Sequence, residues 1–188
     1  MFGWPATRST SLCCHAPRAI VAQRCRAVSP QSLISRLPGL GCVLYLHAAS
    51  TDVAGDASPP GLLVDEHALA PLLDTRWLLA TSTVTEDGPR EWLECVDSSG
   101  RIRARLHLLP DTDYLAWDAL MNAGDLHNGP AALSNTSPLR PDSAEVVSFK
   151  VRELAGLQLL ERSNSALSSL GGRIAARIAH AESAVLLT

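Results

Sequence analysis

Apolar and polar residues alternate strictly from Arg101 to Leu108, and the mostly apolar run from Trp92 to Val96 precedes it, with Asp97-Ser98-Ser99-Gly100 between the two. A period of two is the signature of a half-buried strand, and the four intervening residues are turn formers, so the stretch predicts a β-hairpin. With these four residues as the loop, Val96 faces Arg101, Glu94 faces Arg103 and Trp92 faces Arg105. The other side then pairs Cys95 with Ile102 and Leu93 with Ala104. A three-residue loop would set Cys95 against Arg103 and Leu93 against Arg105, which mixes the faces, so the four-residue loop is expected. That register makes Glu94–Arg103 a cross-strand ion pair. It also makes Trp92–Arg105 a cation–π contact, about 0.5–1 kcal/mol if exposed.

The same reading extends in both directions. Pro110 is expected to end the second strand, and Asp111 or Thr112 to cap a helix with Asp113 in its first turn. On it Tyr114, Trp117 and Met121 form one stripe, with Leu120 beside them and Gly124 as the stop. Upstream, Trp77–Val84 reads as a strand that turns through Glu86-Asp87-Gly88-Pro89 into 91–96. Segments 77–84, 91–96 and 101–108 therefore form an antiparallel meander. Further strands are expected at 40–46, 61–64 and 146–151. Short helices are expected at 31–37 and 66–73. Residues 152–162 are amphipathic, Gly171-Gly172 breaks a pattern, and 173–187 is a final helix. Residues 122–144 form a polar loop, long enough to be either functional or mobile. These elements give an α+β fold, an antiparallel sheet with helices packed on one face.

Composition narrows the setting. The chain has 188 residues, 46% of them hydrophobic and 19% charged, with a formal net charge of -3. That is a globular composition with no global nucleic-acid signal. No apolar run approaches the roughly 18–20 residues that span a membrane. Residues 1–51 hold five arginines and no acidic residue. The first 36 residues, rich in Arg and Ser, resemble either a transit peptide or sequence read from a start placed too far upstream, so a flexible leader over 1–36 and a single domain over 37–188 are expected. Five cysteines, Cys13, Cys14, Cys25, Cys42 and Cys95, follow no zinc-ligand spacing. A reducing cytoplasm is the simplest compartment.

The candidate chemistry is sparse. Arg101, Arg103, Arg105 and His107 occupy every second position of one strand. Successive members lie about 6.6 Å apart, so the row can hold an acidic ligand. The alternative is a solvated outer face neutralised by Glu94 and neighbouring acids. His47 ends an apolar strand and is either a metal ligand or a hydrogen-bonded, partly buried side chain. Trp77, Trp92 and Trp117 either flank a flat ligand or pack in the core. His127 sits in the long loop, and Cys13-Cys14-His15 lacks a matching second pair. No nucleophile elbow, phosphate loop, HExxH or GxGxxG pattern is present.

Leu37-Pro38-Gly39-Leu40-Gly41, the strand up to His47, the run Val96-Asp97-Ser98-Ser99-Gly100 and the segment Thr112–Leu120 together resemble one repeat of the bacterial haem-utilisation HemS/ChuX superfamily. Leu73–Trp77 is similar to that family's strand entry. The resemblance covers about half of the chain in patches. It implies a cytoplasmic protein that binds or carries haem as a homodimer, with His47 on the iron and Arg101, Arg103, Arg105 and His107 around the propionates. His47 falls several residues earlier than the family's ligand when LPGLG sets the alignment. Two other readings stand beside haem carriage: a non-catalytic interaction or regulatory module that has lost the ligand, and a haem-degrading enzyme.

Overall fold

The computed structural model describes residues 19–48, 59–85, 88–127, 138–163 and 166–187. They form an α+β fold around one mixed, mostly antiparallel sheet. Its strands are β1 (Ala19–Ala27), β2 (Gly41–His47), β3 (Leu62–Val64), β4 (Trp77–Thr85), β5 (Gly88–Val96), β6 (Ile102–Thr112), β7 (Asp125–His127), β8 (Ser143–Leu154), β9 (Leu157–Ser163) and β10 (Val185–Leu187). The order across the sheet is β3-β9-β8-β2-β6-β5-β4-β1-β7, and β10 pairs with β8. Only β3–β9 and β10–β8 run parallel among these pairs. The helices are α1 (Pro30–Arg36), α2 (Ala70–Leu73), α3 (Tyr114–Met121) and α4 (Ser169–Ala181), with 3-10 turns at Leu37–Leu40 and His67–Leu69.

Alternation along the strands splits the interior into two cores. Val43 and Tyr45 of β2, Ala104 and Leu106 of β6, and Leu93 and Cys95 of β5 meet Leu33, Ile34, Leu72, Trp117 and Leu120 on the first face. Leu44 and Leu46 point the other way, joining Leu109 and Ala144 against Ala175, Ile178 and Ala179 of α4. The expectation of helices on one face is therefore corrected: α1, α2 and α3 cover one face and α4 covers part of the other. Its stripe of small residues lets α4 lie close to the sheet.

The meander β4–β5–β6 forms where the sequence pattern places it. Its hairpin register differs by two residues from the expected one. Glu94 pairs with Arg105, Trp92 with His107 and Cys95 with Ala104, while Val96, expected opposite Arg101, moves by one residue to Ile102. The extra residue is Arg103, which bulges between these pairs. A two-residue displacement keeps every side chain on its face, so hydrophobic sorting alone does not distinguish the two registers. The Asp97 carboxylate fixes the turn, accepting from the Ser99 amide at 2.9 Å, the Ser99 hydroxyl at 2.6 Å and the Arg101 amide at 2.9 Å.

Several boundaries move. Residues 19–36, expected to belong to a leader, form β1 and α1; β1 pairs with β4, and Leu33 and Ile34 are fully buried. β6 continues through Pro110 to Thr112, with a bulge against Gly41–Val43. Asp113 caps α3, accepting from the Ala116 amide at 2.9 Å. Thr112 instead bonds the Cys42 carbonyl and the Leu109 amide, and Asp111 reaches across to Ser168. On α3, Trp117 and Leu120 are buried, whereas Tyr114 is exposed. The amphipathic residues 152–162 belong to the β8–β9 hairpin. The final helix begins before Gly171 and ends at Ala181, leaving 185–187 as β10.

Candidate functional site

The four members of the basic row do not converge on one ligand. Arg101 is exposed and turns back to Ser99 and Asp97, at 3.1 and 3.4 Å. Arg103 is the bulged residue. Arg105 is only 8% exposed, and this overturns a solvated outer face at that position. Its Nε and Nη2 donate to Glu94 Oε1 at 3.1 and 2.6 Å, and its Nη1 donates to Glu182 Oε2 at 2.7 Å. The guanidinium also lies 5.6 Å from the centre of the Trp92 ring. His107 is buried beside Trp92, with ring centroids 5.8 Å apart. Glu182 is the C-cap of α4, where a negative charge opposes the helix dipole; Arg105 offsets that and ties the helix end to the sheet. This cluster fastens structure together.

His47 lies on the other face. It is opposite Ala104, while its neighbour Leu46 is opposite Arg105. Residues at adjacent positions of a strand point to opposite sides. Iron on His47 and propionates on Arg105 or His107 would thus require one ligand on both sides of the sheet. The tryptophans are divided too: Trp117 sits in the first core, and Trp92 is on the Arg105 face. His127 lies in β7 at the far edge, and Cys13, Cys14 and His15 fall outside the described residues. Among the described residues, no group of three or more His, Cys, Asp or Glu side chains is placed to hold a metal ion.

A different pair comes together at His47. The β2–β8 register places Ser143 directly opposite it. The Ser143 hydroxyl oxygen is 3.1 Å from Nε2, and Nδ1 is 3.3 Å from the Ala48 carbonyl oxygen. A carbonyl only accepts, so Nδ1 carries the proton and the neutral ring accepts from Ser143 through Nε2. The ring stacks on Tyr45 at 5.3 Å. Tyr45 in turn donates its hydroxyl to the Ala68 carbonyl at 2.7 Å, which pins the turn carrying His67.

Burial lowers the His47 pKa from its ordinary value. The Ala48 carbonyl and Asp142 oppose this, while Arg162 and His67 add to it. Arg162 is itself held by Glu66 and Glu145. The imidazole is consequently neutral near pH 7.

His47, Ala48, His67, Ala68 and Pro71 line a cleft of about 210 Å³. This is smaller than the roughly 300–1,000 Å³ of most small-molecule pockets. His47 was a candidate from its place at the end of an apolar strand, whereas nothing local marked Ser143. The two residues are 96 positions apart, and only the sheet order makes them neighbours.

No helix among the described residues is long and apolar enough to cross a membrane. No known protein family matches the chain, and no curated protein matches it in sequence.

Proposed function

We propose that this protein binds a small ligand in the cleft beside His47, and that the arginine row serves the fold. The observation that carries this reading is the oriented, neutral imidazole of His47 on a cleft wall, opposite in direction to Arg105. The short side chains of Ala48, Ala68 and Pro71 leave room for a compact, largely apolar molecule.

Haem carriage by a HemS/ChuX-like protein is the second reading. A neutral imidazole at a cleft wall supports it. It requires Ser143 to release Nε2 and the cleft to widen for a macrocycle. A haem titration followed by absorbance, on wild type and His47→Ala, separates the two. The small-ligand reading expects no saturable Soret shift. Saturation near one haem per chain that is lost in His47→Ala would overturn it in favour of haem. Direct support would be a saturable shift of the His47 imidazole NMR signal on adding small neutral esters or amides.

A further inference from the structure

The geometry points to Ser143 and His47 as a nucleophile and base that transfer a short acyl group from an ester to water. This rests on the reading of the cleft as the working site, and it names the substrate class.

Three features carry it. Ser143 Oγ lies 3.1 Å from His47 Nε2, within the reach a base needs to take the hydroxyl proton. The ring is oriented by a third group, since Nδ1–H points to the Ala48 carbonyl at 3.3 Å. His47 also lines the cleft, whose alanines and proline offer an acyl chain apolar walls and whose size limits that chain to a few carbons. Because burial lowers its pKa, His47 is unprotonated and available as a base at neutral pH.

The step balances with water as the only co-reactant. Ser143 Oγ attacks the ester carbonyl carbon as its proton passes to His47 Nε2. The bond from that carbon to the alcohol oxygen breaks, and the leaving oxygen takes the proton from His47. Ser143 is then acylated. Water, deprotonated by His47, attacks the acyl carbon, and the serine oxygen leaves with that proton. Ester and water have become acid and alcohol, with no change of oxidation state.

The test uses p-nitrophenyl acetate on the full chain. Release of p-nitrophenolate is followed by absorbance, and the acetylated residue is located by peptide mass mapping. The expected result is acetylation of Ser143 in wild type. It should be absent in Ser143→Ala and slowed about 100-fold or more in His47→Gln, the usual scale for a lost general base. Arg101→Ser should match wild type. Acetylation that is absent from Ser143, or unaffected in His47→Gln, overturns the inference. The unreactive amide p-nitroacetanilide keeps the two readings apart. If it shifts the His47 NMR signal saturably while Ser143 is not acetylated, the cleft binds ligands and the acyl transfer is wrong. If it does neither, both fall.

Discussion

Arg105 holds a single oxygen of Glu94 with two of its nitrogens, in a site where both side chains are about nine-tenths buried. Removing the guanidinium would leave Glu94 and Glu182 close together without their shared cation. Losing one partner of a buried pair costs about 3–5 kcal/mol. Arg105→Ser is expected to lose that much in urea denaturation. Arg103→Ser, in the bulge, should stay within about 0.5 kcal/mol of wild type, as surface substitutions do. Similar losses for the two would contradict the register in which Arg105, not Arg103, faces Glu94.

Gly171 makes room for a contact between distant elements. A Cβ there would lie 2.0 Å from Asp111 Oδ2, the carboxylate that accepts from both the amide and the hydroxyl of Ser168 at the start of α4. Gly171→Ala should displace that carboxylate and cost about 1–2 kcal/mol, the scale of a lost helix cap. In an Asp111→Ala background the same substitution should cost clearly less. Equal costs in the two backgrounds would show that Asp111 is not what Gly171 accommodates.

Gly124 and Gly156 both have positive φ, 79° and 80°, yet they should respond differently to alanine. At Gly124 the added Cβ would meet the Ala27 carbonyl oxygen at 2.0 Å, and backbone cannot rotate aside; at Gly156 nothing lies within 4 Å. Gly156→Ala should cost only the left-handed backbone penalty, about 1–2 kcal/mol. Gly124→Ala should cost more and loosen the β1–β7 edge. Comparing the two melting curves, with hydrogen exchange across β1, checks this.

Two groups set the acid response. His47 has a folded pKa below its unfolded value of about 6.5, mainly through burial. Its contribution is complete above about pH 6.5 and is lost as pH falls through the folded value. Burial raises the Asp97 pKa, but the Ser99 hydroxyl and the amides of Arg101 and Ser99 outweigh this and bring it below the ordinary carboxylate value. Its contribution is present above about pH 3.9 and is lost below that as the carboxyl protonates. Stability measured against pH should thus fall in two stages. His47→Gln should remove the upper stage alone, and Asp97→Asn the lower. A single stage unchanged by either substitution would refute the assignment.

The meander was legible because Arg101–Leu108 alternates strictly and turn residues separate it from the apolar-rich runs Trp77–Val84 and Trp92–Val96. The β8–β9 hairpin was not. Val151, Leu154, Leu157 and Leu160 recur every third residue, a helical spacing. What decides the matter is the Ala155-Gly156 turn, which brings Leu154 opposite Leu157. β1 was hidden by its arginines: it lies near the edge of the sheet, where Arg24 is exposed and Arg26 bonds the Gly124 carbonyl. Hydrophobic sorting found the face of Arg105 but not its partner, because one more loop residue and the bulge together shift the register by two, which leaves the faces unchanged. Ser143 had no local mark at all, since its significance comes from the strand that lies beside it.

That central strand also divides the chain in time. β4–β5–β6 and β8–β9 are built from neighbouring segments joined by short turns, so each pays a small loop-closure cost and can form early. β2 precedes both in the chain, yet it must enter between β6 and β8. Its pairings span 65 and 104 residues at Val43, which faces Leu108 on one side and Val147 on the other. The two halves are therefore expected to join through one late insertion. Substitutions at Val43 or Tyr45 should slow refolding, whereas weakening the Asp97 turn should act at an earlier event. In a kinetic sense β2 is the closing step of the whole sheet, and the same insertion that completes the fold brings His47 up to Ser143.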